Sequence, residues 1–198
     1  MRFRRLLSVL IVMFVTFVPV VIVAAQNQTG QSMPAQKHLI MTITGFPDGS
    51  DIPLKYTQAG SQTSPEITWI NTPPGTVTFV LHMHDMDFSR NHTTDDQLHW
   101  LVWNIPGTAT SLPEGVPAGA QLQNGAYQVS ASGPSYRGPG APASFPKHHY
   151  AFELIALDTK IDVQPSTDAF ETRANVMKAI QGHILEKSVY VGLFHRPE

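Results

Sequence analysis

After residue 36 the chain consists largely of short runs in which apolar and polar residues alternate. A period of two is typical of β-strands, because successive side chains point to opposite faces of a sheet. Turns rich in proline and glycine separate the runs. The pattern predicts strands over 38–43, 66–70, 76–84, 98–104, 150–157 and 188–194, with Val77, Phe79, Leu81 and Met83 on one face of the third strand.

One segment near the C-terminus has helical periodicity instead. Asp168 can cap its first turn, and Glu171, three residues later, completes a capping-box pattern. Gly182 falls near a plausible helix C-terminus. Strands and helices do not alternate along the chain, so a doubly wound α/β fold is not expected and the pattern predicts a mainly β domain. The apolar positions at helical spacing are Val176, Met177, Ile180 and Ile184.

Between Pro106 and Pro146 neither period persists, and glycine and proline make up 14 of the 41 residues. A loop of this length inside a compact domain is usually either functional or disordered. Tyr127, Tyr136 and Phe145 offer apolar anchors, so we expect an ordered loop.

The first 25 residues follow a different pattern. A basic start with three arginines precedes an almost uninterrupted apolar run over 6–23, and Ala24 and Ala25 follow it. These features predict a signal peptide over 1–25, cleaved near Ala25, then a flexible leader over 26–36 and one exported domain over 37–198. The alternative is an N-terminal membrane anchor, because about 18 apolar residues can just span a bilayer.

Composition narrows the classes of function. The 198 residues include 13 basic and 15 acidic side chains, for a formal net charge of −2. Removal of 1–25 leaves 10 basic against 15 acidic residues, which argues against a general nucleic-acid binder. The absence of cysteine excludes disulfides, thiolate metal sites and a cysteine nucleophile. Nine histidines are the first sign of a chemically specialised site.

Histidines and aspartates concentrate where predicted strands begin or end. Three interpretations stay open for them. In the first, they are polar residues at strand ends that face water. In the second, they line an anion pocket in which imidazole and phenol groups donate hydrogen bonds. The third is a metal site serving a hydrolase, for which the candidate ligands are His82, His84 and Asp85.

Several short motifs occur in a characteristic order between residues 46 and 196. Together they resemble the phosphatidylethanolamine-binding protein family, especially its bacterial Raf-kinase-inhibitor-like branch. Individually the motifs are weak, but they are collinear over nearly all of the domain. They include Asp48-Gly49-Ser50-Asp51-Ile52-Pro53, Asp85-Met86-Asp87, His99-Trp100, Tyr136-Arg137-Gly138-Pro139 and His148-His149-Tyr150.

The resemblance implies a mainly β fold of two packed antiparallel sheets with short peripheral helices. It also implies a small pocket for phosphate or a phospholipid head group at one end of the sheets. Carried over, the family's pocket wall would be Asp85, His99, His148 and Tyr150, with Asp87 beside it and Pro139 on the loop rim.

The resemblance and the composition together predict a non-enzymatic binding protein without a cofactor. In the expected mechanism, His99 and His148 donate to ligand oxygens, and affinity rises as pH falls from about 8 to 6. Some family members regulate kinases or inhibit proteases, so a protease or envelope protein held by the 106–146 loop is an expected alternative partner. Association with a membrane surface is also expected. His149 stands where the family usually has arginine, and Met86 replaces a proline.

Overall fold

The computed structural model describes residues 37–198, and the predicted signal peptide and leader lie outside the described residues. Within this range, no helix is long and apolar enough to cross a bilayer. Short 3-10 helices cover Leu54–Tyr56 and Arg90–His92. The strands and the helix are β1 Ile40–Ile43, β2 Ser50–Asp51, β3 Ile67–Ile70, β4 Thr78–Asp85, β5 Gln97–Pro106, β6 Ser111–Leu112, β7 Tyr127–Val129, β8 His148–Leu157, α1 Ala169–Ala179 and β9 Ile184–Phe194.

These strands form two sheets, as the fold prediction required. The small sheet has the order β1-β3-β6, and the large one the order β2-β9-β8-β4-β5-β7. All pairs are antiparallel except β2 with β9. Side chains of both sheets share one apolar core, in which the rings of Trp69 and Phe79 are 5.3 Å apart. The predicted mainly β fold with two packed sheets is confirmed.

Strand β4 is buried on both faces, which the alternating pattern did not predict. Phe79, Leu81 and Met83 face the shared core, whereas Val80 belongs to a second apolar cluster that includes Val176 of α1. Helix α1 covers this second face, so both sets of alternate positions are shielded from water. Val77 precedes the strand and is exposed, so its predicted place on one strand face with Phe79, Leu81 and Met83 is wrong.

Helix α1 begins as predicted. The Asp168 carboxylate accepts hydrogen bonds from the backbone N–H groups of Phe170 at 2.8 Å and Glu171 at 3.2 Å. Ser166 completes the cap: its hydroxyl donates to Glu171 and accepts from the Asp168 N–H. The helix ends at Ala179, close to the C-terminus predicted near Gly182, and Ile184, although at helical spacing, begins β9. Gly182 has a φ of +83°, a left-handed conformation that ends helices.

The loop between Pro106 and Pro146 is held by buried hydrogen bonds. The Tyr136 hydroxyl donates to the Tyr56 carbonyl at 2.7 Å, and the Gln128 amide donates to the Pro117 carbonyl at 2.7 Å. Phe145 is exposed and therefore does not anchor the loop as predicted. The loop also carries β6 and β7, which are too short to show a period in the sequence.

Candidate anion pocket

A cavity of about 150 Å³ opens at one end of the large sheet. Because β4 runs antiparallel to both of its neighbours, its last residue meets the first residues of β5 and β8: Asp85 pairs with Gln97 and with Tyr150. The cavity is lined by Gln58, Asp85, Phe88, Gln97, His99, Arg137, Gly140, Ala141, Pro142, His148 and Tyr150.

Asp85 orients His148 in this cavity. Its two carboxylate oxygens lie 3.0 and 2.8 Å from His148 Nδ1, and one of them also accepts the Asp87 backbone N–H at 3.0 Å. A carboxylate accepts hydrogen bonds, so His148 Nδ1 carries a proton and Nε2 remains for a ligand. The buried Asp85 thus fixes both the ring orientation and the tautomer of His148.

His99 is held in a different way. Its Nδ1 lies 3.0 Å from the Arg137 carbonyl oxygen, which can only accept, so Nδ1 is protonated. Burial lowers the pKa of His99 to about 4, against a usual 6.5. The ring is therefore neutral at pH 7, and its Nε2 is an acceptor. The expectation that His99 donates between pH 8 and 6 has to be revised accordingly.

Tyr150 connects the sheet to the 137–142 loop. Its hydroxyl oxygen accepts the backbone N–H groups of Gly140 at 3.2 Å and Ala141 at 3.1 Å. Burial, and after it the charge of Asp85, raises the pKa of Tyr150, so the phenol stays protonated at physiological pH. Its own O–H is left to donate to Asp85 or to a ligand.

Of the residues that line the cavity, sequence reasoning placed only Asp85, His99, His148 and Tyr150 there, and two polar lining residues that it missed are Arg137 and Gln58. Arg137 donates from Nη1 to Ser132 at 2.8 Å, while its buried Nε has no hydrogen-bond partner among residues 37–198. Gln58 donates from Nε2 to the Gly138 carbonyl at 2.8 Å. Arg137 belongs to one of the family motifs, so the sequence contained a signal for it, whereas Gln58 itself is in none of them.

Asp87 and Pro139, both predicted at the pocket, do not line the cavity. The exposed Asp87 carboxylate accepts the backbone N–H of His149 at 2.5 Å and lies 2.9 Å from its Nδ1. Partial burial raises the pKa of Asp87, but its contacts with His149 together lower it more, so the pKa lies below its usual value. Pro139 is buried, and its carbonyl accepts the Gln58 N–H at 2.9 Å. Both residues shape the surrounding loops rather than the wall or rim.

The predicted metal-ligand set of His82, His84 and Asp85 is not brought together. Side chains alternate along β4, so Asp85 joins the cavity while the two histidines lie on the other face of the sheet. Glu153 of β8 takes the place beside them. Its Oε2 is 3.6 Å from His82 Nδ1 and 3.9 Å from His84 Nε2.

A larger concavity of about 610 Å³ lies beside the start of α1. Its single lining carboxylate, Asp168, is already used to cap the helix. Apart from that group it offers no titratable side chain, so the smaller cavity is the better candidate for a binding site.

Comparison with known proteins agrees with the fold and with the resemblance in sequence. A family model described as phosphatidylethanolamine-binding protein matches residues 42–195. A UPF0098 protein of Methanothermobacter thermautotrophicus is 35% identical over 153 residues, covering 76% of this chain and 95% of that protein. The chain belongs to the phosphatidylethanolamine-binding protein family.

Two solved structures and one further relative are also similar to this chain. A proposed phosphatidylethanolamine-binding protein homologue from Chlamydia trachomatis aligns with a TM-score of 0.68 at 26% identity, over 81% of this chain and 99% of that one. E. coli YbcL gives the same TM-score at 23% identity, over 81% and 100%, a likeness of fold. LppC of Mycobacterium tuberculosis, a proposed lipoprotein, is 28% identical over 75% of this chain and 70% of that protein.

Proposed function

We propose that this protein is an exported, non-enzymatic binding protein whose cavity takes the phosphate group of a phospholipid head group or a similar anion. The observation that carries the proposal is the convergence of His148, Arg137 and Tyr150 on one small cavity. At about 150 Å³ the cavity is smaller than pockets for drug-sized ligands, which are about 300–1,000 Å³. Its size suits one phosphate-like group.

In the proposed binding mode, protein donors replace the water around the anion. Arg137 supplies its unpartnered Nε–H, and a protonated His148, held by Asp85, supplies Nε2–H. Tyr150 adds its phenolic O–H. His99 Nε2 accepts a hydrogen bond from the ligand's own hydroxyl. When the ligand is fully ionised, His99 takes up a proton from solvent and donates a hydrogen bond instead.

Apolar side chains at the cavity support a lipid source for the anion. Phe88 lines the cavity and is exposed, and the exposed Phe145 ring lies edge-on to His148 with centroids 6.3 Å apart. Exposed aromatic rings are suited to the boundary between lipid head groups and acyl chains. A free phosphate ion would make no use of them.

Titration calorimetry with inorganic phosphate and with glycerophosphoethanolamine tests the site. We expect one ligand per chain, with affinity for both reduced at least about tenfold by Arg137→Gln or His148→Ala, the loss of roughly one charge-assisted hydrogen bond. His183→Ala is the matched control, because His183 forms a similar pair with Asp158 at 2.8 Å on the exposed surface. The proposal fails if neither ligand binds, or if the pocket variants bind as well as the control.

Vesicles containing phosphatidylethanolamine separate the two sources of the anion. We expect co-sedimentation with these vesicles to be reduced in Phe145→Ser, while the affinity of that variant for free phosphate is unchanged, because Phe145 is exposed and does not line the cavity. Phosphate binding without vesicle binding would assign the cavity to a free anion instead.

Export is supported by the predicted signal over 1–25 and by the similarity to LppC, a proposed lipoprotein. Sequencing the N-terminus of the protein recovered from its host tests the proposal. We expect the chain to begin at Gln26, whereas an intact Met1 would favour the membrane-anchor alternative.

A further inference from the structure

A second cluster of histidine and carboxylate side chains lies on the α1-covered face of the large sheet, away from the anion pocket. One ligand atom each of His82, His84 and Glu153 lies within 4.8 Å of the other two. His82 and His84 are two residues apart on β4, so their rings lie parallel, with centroids 4.3 Å apart and planes at 3°. Glu153 comes from the neighbouring strand β8, opposite His82 in the register.

One nitrogen of this cluster, His84 Nε2, is buried and has no hydrogen-bond partner among the described residues. The His84 side chain is only 14% exposed, so bulk water does not readily satisfy this atom. Buried polar atoms are normally paired, and each exception calls for a missing partner or a functional reason.

Neighbouring side chains hydrogen-bond to the cluster and orient it, as residues that hold the ligands of a metal site do. The Asp96 carboxylate bonds to His84 Nδ1, and Arg173 in turn binds Asp96 at 2.5 Å. A second carboxylate on the far nitrogen of a histidine is the usual partner of a metal-bound imidazole, because it fixes the tautomer and leaves Nε2 free. Glu153 is held by Lys187 at 2.6 Å through Oε1, which leaves Oε2 facing the histidines.

We propose that His82, His84 and Glu153 form a binding site for a divalent transition-metal ion of the zinc type. The ligating atoms are His82 Nδ1, His84 Nε2 and Glu153 Oε2. Two imidazoles and one carboxylate favour zinc and its neighbours over Mg²⁺ or Ca²⁺, which prefer oxygen ligands. With bonds of about 2.0–2.2 Å, ligand atoms around one ion lie up to about 4 Å apart. The 3.6 and 3.9 Å separations to Glu153 Oε2 fall within that limit.

The cluster supplies three protein ligands, which leaves a fourth coordination position for water. The Glu153 side chain is 22% exposed, so solvent reaches this ligand.

Zinc titration of the metal-stripped full chain tests this site. We expect one Zn²⁺ per chain by calorimetry, and a visible ligand-field spectrum when Co²⁺ is added instead. Asp96→Asn removes the carboxylate that orients His84 and should weaken Zn²⁺ binding by about 10- to 100-fold. His84→Gln and Glu153→Gln each remove a direct ligand and should weaken Zn²⁺ binding by more than that. Zn²⁺ should also raise the unfolding temperature of the parent chain but not that of Glu153→Gln.

Controls separate this site from the other histidines and from misfolding. His183→Gln removes an exposed histidine of the same pairing type and should leave Zn²⁺ affinity unchanged. Glu153→Gln preserves side-chain shape, so a normal circular dichroism spectrum shows that its loss of metal binding is local. Absence of saturable 1:1 binding by the parent chain, or parental affinity in both His84→Gln and Glu153→Gln, overturns the proposal. Phosphate affinity is measured on the same samples, so that the metal site and the anion pocket are tested independently of each other.

Discussion

At the scale of single residues, His99 is placed where charge is disfavoured. Its side chain is almost completely buried, its Nδ1–H is fixed on the Arg137 carbonyl, and its pKa is lowered to about 4. The ring therefore takes up a proton readily only when a ligand brings negative charge to it. This environment links proton uptake to anion binding and makes His99 a contributor to acid sensitivity.

We expect the free energy of unfolding to fall as pH drops from 6.5 to about 4, because unfolded His99 binds a proton there and the folded residue does not. The contribution is at most about 1.4 kcal/mol per pH unit. Urea unfolding at a series of pH values should show a shallower slope for His99→Gln than for the parent or for His183→Gln. An equal slope in all three would contradict the buried, neutral His99.

Anion binding should show the matching proton linkage. Affinity for a permanently ionised sulfonate is expected to rise as pH falls from 7 toward about 4, because the bound anion raises the pKa of His99 above its value in the empty pocket. The measurement is calorimetry in buffers of different ionisation enthalpy, which counts the protons taken up. Affinity that is independent of pH in the parent, or the same rise in His99→Gln, would argue against this role.

Sequence reasoning found the residues on strand ends better than those on loops. His99, His148, Tyr150 and Asp85 lie at the cavity as expected, because the ends of antiparallel neighbours must meet. Gln58 reaches the cavity only through long-range loop packing, which no local pattern encodes. That these residues bind a ligand remains a prediction.

At the scale of elements, strand β4 contributes side chains to two candidate sites on opposite faces of the large sheet. Its last residue, Asp85, lines the candidate anion pocket on one side, while His82 and His84 belong to the second cluster on the other. The alternation that defines a strand explains why three polar residues close in sequence serve different sites. The sequence alone did not exclude grouping His82 and His84 with Asp85, because it does not show whether the strand continues as far as Asp85.

The start of α1 offers a direct test at this scale. Asp168→Ala removes the acceptor for two helix N–H groups and should lower the free energy of unfolding by about 0.5–2 kcal/mol. Asp162→Ala, in an exposed position before the helix, removes a carboxylate without a cap and should change stability little. Urea unfolding compares the two variants, and equal effects would show that the cap is not responsible.

At the scale of the whole molecule, the cavity closes because two distant segments pack backbone to backbone. A Cβ added at Gly138 would lie 2.6 Å from the Tyr56 carbonyl oxygen and 2.8 Å from Thr57 Cα. The Tyr136 hydroxyl and the Gln58 amide join the same two segments. The glycine therefore sets how closely the loop that carries Arg137 approaches residues 56 and 57.

Gly138→Ala should push this loop outward, lowering stability by about 1–3 kcal/mol and weakening phosphate binding. Thermal unfolding and phosphate titration measure the two effects. Ser144→Ala changes an exposed residue later in the same loop and serves as the control. Parental phosphate affinity in Gly138→Ala would show that the packing of these segments does not determine the site.

The two-sheet architecture could be predicted because long strands carry their period in the sequence and the family motifs fix their order. The second covered face of β4 and the short strands β2, β6 and β7 could not. Each depends on contacts between residues far apart in the chain, which override local preference.

The most direct test of the central claim follows the histidine side chains by long-range ¹H–¹⁵N NMR during a phosphate titration of the full chain. We predict that the resonances of His148 and His99 shift together and saturate with one dissociation constant, while those of His183 remain in place. Phosphate binding that leaves both pocket histidines unshifted would contradict the account.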